Sequence, residues 1–247
     1  MNNKVFFMDC MEGMEVTPDN FYDLAIVDPN YGINATNMSM GSNPNRSGIS
    51  VNGEKQYPGV STAVKLKGRL NSGGEKLKNR ILNTSEIDWD DAPPPPEYFK
   101  ELFRVSKHQI IWGGNYFIDN LYSTRCIIMW DKLQPWDNFS QWEMAWTSFD
   151  KPAKVYRISN TGGANRETKI HPTQKPVLLY DKIYKDFVTA GMNILDTHVG
   201  SGSHRQTAYR FGVDFIGYEN NTIHFDDQEK RFNDFILLQN SNYKLAL

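Results

Sequence analysis

Asn193-Ile-Leu-Asp-Thr-His-Val-Gly-Ser-Gly-Ser203 decides the fold. Its first four residues read as an apolar strand ending at Asp196, and a helical pattern starts at about Ser203. Between them, Gly200 and Gly202 let the backbone turn tightly and approach a ligand with no Cβ in the way. The helix that follows offers unpaired backbone N–H groups. This strand, turn and helix together open a nucleotide-sized pocket in a doubly wound α/β domain. An ATPase-type phosphate loop would require Gly-Lys-Ser/Thr, which is missing here. In such domains the turn normally follows the first strand. Here most of the chain precedes it, and a second strand-end motif, Asp28-Pro-Asn-Tyr31, lies near the N-terminus.

Working outward, Lys4-Val-Phe-Phe-Met8 predicts a strand that ends at Asp9-Cys10. Asp23-Leu-Ala-Ile-Val-Asp28 predicts another, apolar without alternation, as expected of a strand covered on both faces. Helices are expected over 97–105, 172–190, 203–211 and near 225–238, and strands over 108–112, 126–130, 141–149 and 215–218. In the 172–190 helix, Thr173 is the expected cap, Pro176 suits the first turn and Gly191 ends the run. Strands alternating with helices predict a mostly parallel sheet, with ligands beyond its carboxyl ends. Two spans break the pattern. Residues 33–85 are rich in Asn, Ser and Gly, and 151–170 are polar and basic.

A chain of 247 residues with 39% apolar and 13% aromatic side chains suits one α/β domain, 1–247, carrying an insertion. Its net charge of −2 excludes a generally polycationic protein, but the charge is uneven. From Thr36 to Ser85 there are eight Lys/Arg against two acidic residues. From Lys151 to Lys175 there are six basic residues against Glu167 alone. Local basic segments in an acidic whole fit a nucleic-acid groove. Two cysteines, Cys10 and Cys126, are too few for a disulfide framework and are expected as buried thiols. No metal-ligand spacing is present. No apolar run nears the ~20 residues that span a bilayer, and the reading is a soluble cytoplasmic protein without a membrane partner. Asp90-Asp91 reads as a solvated turn, and most of the tryptophans as packing residues.

The Asp28 motif carries specific chemistry. The exocyclic amino group of adenine or cytosine is a poor nucleophile, because its lone pair is delocalised into the ring. A site helps by accepting both amino hydrogens. The Asp28 carboxylate is one acceptor and the Pro29 carbonyl, held by proline geometry, is the other. Tyr31 is suited to stack on the base, worth about 1–3 kcal/mol. A base inside a duplex must first be flipped out. In His171-Pro-Thr-Gln-Lys-Pro176, Lys175 sits at an expected helix start, where a ligand carboxylate is favoured. Glu219, at the tip of the 215–218 strand, suits ribose hydroxyls.

These motifs together resemble the β-class amino-methyltransferases of DNA. In that family an Asp-Pro-Pro-Tyr motif near the N-terminus precedes the S-adenosylmethionine motif, the order seen here. The resemblance extends to Met8-Asp9-Cys10-Met-Glu-Gly13, His108-Gln-Ile-Ile-Trp-Gly-Gly-Asn-Tyr-Phe117 and Phe215-Ile-Gly-Tyr-Glu219. It implies a circularly permuted, Rossmann-like S-adenosylmethionine-dependent methyltransferase fold with helices on both faces of the sheet. It also implies methyl transfer to a flipped base in DNA. Asp28, Pro29, Asn30 and Tyr31 would form the catalytic pocket. Asp196, Gly200 and Gly202 would hold the methionine part of the cofactor, with Thr197, Ser201 and Ser203 completing that turn. Lys175 and Thr173 would lie near the cofactor carboxylate, Glu219 at the ribose and Asp9 near the adenine. Lys65, Lys67, Arg69, Lys76, Lys78, Arg80 and Arg166, in the two basic loops, would contact DNA. Relatives are often dimeric, so the resemblance also suggests a homodimer.

In that family an acidic first residue of the motif leans toward adenine N6, so the resemblance implies adenine N6, with cytosine N4 as the alternative. Two departures stand out. Asn30 replaces the family's second proline, which keeps open a catalytically impaired module that binds DNA or a partner. Thr197-His198 stands where many relatives have Pro-Phe, and His198 is expected as a pocket-wall residue. A nicotinamide-linked oxidoreductase would share the glycine turn but leaves the Asp28 and His171 motifs unexplained.

Overall fold

The apolar, non-alternating runs become the centre of one sheet. The computed structural model describes residues 2–33, 50–51, 54–55, 90, 92–134, 140–160, 167, 169–171 and 173–245. The chain divides into two compact units: Met1–Pro29, Pro93–Glu167 and Thr173–Leu247 form the first, and Asn30–Ala92 with Thr168–Pro172 the second.

In the first unit, chain order is β1 (Asn3–Phe7), α1 (Cys10–Glu15) and β2 (Tyr22–Val27). In the second unit, β3 (Ser50–Val51) and β4 (Glu54–Lys55) form a two-stranded antiparallel pair. The first unit resumes with α2 (Pro96–Val105), β5 (Ser106–Trp112), β6 (Ile127–Asp131), β7 (Trp142–Thr147) and β8 (Lys154–Arg157). It ends with α3 (Val177–Phe187), β9 (Asn193–Asp196), α4 (Ser203–Phe211), β10 (Asp214–Glu219) and α5 (Thr222–Leu245). The strands form an eight-stranded sheet in the order β1-β10-β9-β2-β5-β7-β6-β8. The run from β1 to β5 is parallel, and β7 is antiparallel to both β5 and β6. Helices cover both faces, with α1 packed on α2 and α3 on α4.

This order explains why the glycine-rich turn comes last in sequence without leaving the centre of the fold. β9 and β10, the last two strands of the chain, lie between β1 and β2, the first two. The register pairs Leu24 with Ile194 and Ala25 with Leu195. Continued in parallel, it brings Asp196 and the segment leading to Asp28 to neighbouring strand ends. Leu24, Ala25, Ile26, Val27, Ile110, Ile111, Ile194 and Leu195 are all buried, as both-face coverage requires. Gly217 on β10 packs where a Cβ would run into the Val199 side chain of the turn.

Helix α4 spans the residues expected of it, starting after Gly202 at φ +71°. Three elements differ from expectation. β8 lies inside the segment read as a basic loop. It is a four-residue edge strand with only Tyr156 buried, too short and too polar to show periodicity. α3 starts at Val177 and not near Pro172, with Pro176 at its cap position and no side-chain cap from Thr173. α5 is longer than the 225–238 core of its pattern, and Asn221 Oδ1 receives Ile223 N (3.0 Å) and His224 N (3.2 Å) at its start.

Candidate active site

The glycine-rich turn is held by two carboxylates. Asp196, at the end of β9, accepts the backbone N–H of His198 on Oδ1 (3.1 Å) and His204 Nδ1 on Oδ2 (2.8 Å). His204 lies in the first turn of α4, and its Nε2 meets the Tyr184 hydroxyl of α3 at 2.7 Å. The Tyr180 ring stacks on the same imidazole at 4.9 Å. Asp196, His204, Tyr180 and Tyr184 are all buried. Glu219, at the end of β10, accepts Gly200 N on Oε2 (2.9 Å) and Asn221 N on Oε1 (3.0 Å). Burial pushes the Glu219 carboxyl above its ordinary value, and the backbone donors partly offset this. Thr197 Oγ1 meets the Tyr98 hydroxyl at 2.7 Å. Ser201 and Ser203 hydroxyls lie 3.2 Å apart, and Arg231 donates to the Ser201 carbonyl (2.6 Å) and to Ser203 Oγ (3.0 Å).

Met8 N donates to the Glu219 carbonyl at 3.1 Å, which sets the residue before Asp9 beside the end of β10. Asp9 is exposed and caps α1 through Met11 N at 2.8 Å. The structure therefore gathers Asp9, Asp196, Thr197, Gly200, Ser201, Gly202, Ser203 and Glu219 at the carboxyl ends of three neighbouring strands.

Lys175 is placed otherwise than expected. It is not at the first turn of α3, and its ammonium is engaged by protein carboxylates: Asp28 Oδ2 at 2.5 Å and Glu143 Oε2 at 3.1 Å. The Trp112 ring centroid lies 5.0 Å from the same nitrogen. The Glu143 contact lacks hydrogen-bond alignment, so it is an interaction of charges. Burial alone would discharge Lys175, but Asp28 and Glu143 outweigh it and hold its pKa above the ordinary value. The α3 N-terminus is already occupied as well. Glu167 Oε1 accepts Val177 N at 2.9 Å, and Arg231 binds Glu167 Oε2 at 3.0 Å. Thr173 is exposed. A helix start favours an anion, and here the chain supplies it.

In the second unit, Asp90 is buried, contrary to its reading as a solvated turn. Its Oδ1 accepts the backbone N–H groups of Tyr31 (2.7 Å) and Gly32 (2.9 Å). Lys65, Lys67, Arg69, Lys76, Lys78, Arg80 and Arg166 lie outside the described residues, as does Asp91. Among the tryptophans, Trp112, Trp130 and Trp146 are buried, whereas Trp142 is exposed. Cys10 is half-buried and Cys126 buried, both free thiols. Among the described residues no group of His, Cys, Asp and Glu is placed to hold a metal ion, and no helix is long and apolar enough to cross a membrane.

His198 is unsuited to act as a base. Burial outweighs the nearby Asp196 and Asp9 charges and brings its pKa down to about 4. His224 is likewise near 4 through burial. Both begin from an ordinary value of 6.5. Between pH 6.5 and 4 the unfolded chain binds protons that the folded chain refuses, so stability falls on acidification through that window. Glu143, brought down to about 2 by Lys175 and Lys132 against the opposing effect of burial, adds a loss as pH drops from 4.5 toward 2. Melting temperatures measured from pH 7 to pH 4 should decline from about 6.5 downward. A flat profile over that range would contradict the burial of these rings.

Sequence reasoning missed Glu143, Asp90, Glu167 and His204. The signal for Glu143 was a lone charge within the apolar strand Trp142-Glu-Met-Ala-Trp-Thr147.

A family model described as DNA methylase, covering N6 and N4 methyltransferases, matches residues 107–230, just over half of the chain. The chain belongs to the DNA methylase family. Among curated relatives, the type II methyltransferase M2.LlaDCHI of Lactococcus lactis subsp. cremoris is 27% identical over 154 residues, covering 62% of this chain and 51% of the relative. The chain spans about half the length of the curated relatives it matches. Two solved structures share the fold. The M1.HpyAVI complex with S-adenosylmethionine superposes with a TM-score of 0.53 at 15% identity, over 93% of this chain and 98% of that chain. The cytosine-N4-specific PvuII DNA methyltransferase gives 0.56 at 13% identity, over 94% and 86%.

Proposed function

We propose that this DNA methylase transfers a methyl group from S-adenosylmethionine to the N6 amino group of adenine in a base flipped out of duplex DNA. The observation that carries the reading is the placement of the Asp196 turn and the Asp28 strand end on adjacent parallel strands, β9 and β2. The residues fit the cofactor. Gly200 at φ +52° and Gly202 at φ +71° keep the turn free of side chains. The Glu219 carboxylate lies at the carboxyl end of β10, where a ribose diol would find an acceptor, with Asp9 two residues past the end of the neighbouring β1.

Asp196, Thr197, Ser201 and Ser203 would hold the methionine part and Glu219 the ribose. When bound, S-adenosylmethionine supplies an electrophilic methyl group on a sulfonium. Asp28 and the Pro29 carbonyl accept the two amino hydrogens, which draws the nitrogen out of conjugation and aims its lone pair. Tyr31 is suited to stack on the base, and within the second unit Asp90 Oδ1 holds the Tyr31 and Gly32 amides. His198 stays uncharged at neutral pH, so the proton released by the methylated nitrogen passes to water. The rate gain is assigned to positioning and to the two preorganised acceptors.

The basic segments are proposed as the DNA-contacting surface, and the protein as a cytoplasmic partner of a type II restriction system, as its relatives' names suggest. Reversing the charge at Lys65 and Lys67 should weaken DNA binding and lower the slope of log affinity against log salt by about 2. An unchanged slope in a filter-binding titration would move the contact surface elsewhere.

Asn30 favours a second reading, a chain that binds cofactor and DNA without transfer. Single-molecule sequencing of DNA from cells expressing this chain separates the readings. N6-methyladenine in a fixed sequence context is the expected result. N4-methylcytosine would redirect the assignment, and unmodified DNA would favour the binding module.

A further inference from the structure

Behind Asp28 runs a line of alternating charges that the proposed chemistry has not yet used. Asp28 binds Lys175, Lys175 meets Glu143, and Lys132 binds Glu143 Oε1 at 2.5 Å. The line crosses the sheet from the end of β2, through β7, to the residue after β6. Side-chain exposure is 3% for Lys175, 11% for Lys132 and near a fifth for both carboxylates (21% for Asp28, 22% for Glu143). Ion pairs this enclosed are weak devices for stability, because desolvation cancels most of their attraction. What they do set is geometry. An ammonium caught between two carboxylates and an indole face has few positions to occupy.

We propose that Glu143 is a positioning residue for methyl transfer: anchored by Lys132, it holds the Lys175 ammonium against Asp28, and Lys175 fixes the orientation in which Asp28 receives the amino group. This rests on the functional reading above. Glu143 sits on β7, on the far side of Lys175 from Asp28, and acts only through Lys175. Without it the buried ammonium loses a carboxylate partner, and burial then pulls its pKa down. Asp28 would lose both a charged partner and a fixed donor.

Asp28 approaches Lys175 from the end of β2, Glu143 from β7 and the uncharged Trp112 ring from β5. The Tyr180 phenol of α3, in the field of Asp28 and Glu143, is held protonated by burial and by those carboxylates. Lys132 reaches Lys175 only across Glu143. The alkaline limit of activity in a Glu143 variant is therefore set by the Lys175 amine.

The test compares wild type with Glu143→Gln and with the double variant Lys132→Met/Glu143→Leu, which preserves net charge and replaces a buried ion pair by apolar side chains. Transfer to DNA is followed from pH 6 to 10, S-adenosylmethionine affinity by calorimetry, and folding by thermal melting. We expect both variants to bind cofactor as wild type does. Their kcat should fall roughly 10- to 100-fold, with the alkaline limb of the pH profile displaced to lower pH. The displaced limb is the signature that a merely structural role would not produce. An active wild type accompanied by folded variants of equal kcat and unshifted profile overturns this proposal alone. Lost cofactor affinity in folded variants also overturns it, by placing the array with the cofactor turn. A wild-type chain with no transfer on any DNA overturns the functional reading, and this proposal with it.

Discussion

Replacing Asp28 with alanine should reduce methyl transfer by about 10²–10³-fold or more while leaving S-adenosylmethionine affinity intact. The size follows from losing a preorganised charged acceptor aimed where positive charge develops on the amino nitrogen. The selectivity follows from the geometry. The glycine-rich turn is held by Asp196 and Glu219, whereas Asp28 is bound to Lys175. The substitution also strips Lys175 of a carboxylate partner, so folding must be checked by melting. Asp28→Asn, which keeps one acceptor oxygen, should retain more transfer than alanine. Near-wild-type transfer in Asp28→Ala would remove the assigned acceptor from the mechanism.

Replacing Asp196 with alanine should have the opposite profile: cofactor binding lost, and transfer lost as a consequence. Two donors, the part-buried His198 N–H and the buried His204 Nδ1, would lose their acceptor at once. Each orphaned donor costs about 1–3 kcal/mol. About 3 kcal/mol taken from cofactor affinity is near a 10²-fold rise in Kd. The remainder should appear as a lower melting temperature. His204→Gln leaves His198 N–H bonded to Asp196 and should be milder. Calorimetry on the three proteins orders them, and an unchanged Kd in Asp196→Ala would mean that the turn does not depend on its carboxylate.

Much of this architecture was legible from residue pattern alone. The strands expected over 23–28, 108–112 and 193–196 were readable from short apolar runs at 24–27, 110–112 and 194–195, which are buried on both faces of the sheet. The reversed order of the two strand-end motifs already implied that late strands must insert beside early ones, and β9 and β10 do so. What stayed hidden depends on long-range pairing. Lys175 and Asp28 are 147 residues apart, and no local pattern joins them. Thr173 looked like the cap of α3, but Glu167, ten residues before Val177, supplies that anion from outside the helix. Asp90 lay beside a second aspartate ahead of a proline run, where acidic residues are usually solvated, and its burial came from two amides 58 and 59 residues earlier. β8 escaped because an edge strand with one buried side chain carries no period.

The most direct test of the account is to incubate the purified chain with duplex DNA and methyl-labelled S-adenosylmethionine, then digest the DNA and separate its nucleosides by mass spectrometry. Label on N6-methyl-2′-deoxyadenosine with the wild type, and none with Asp28→Ala at equal cofactor occupancy, is the predicted result. Label on a ring carbon, or equal label from both proteins, would contradict an amino-group transfer built around Asp28.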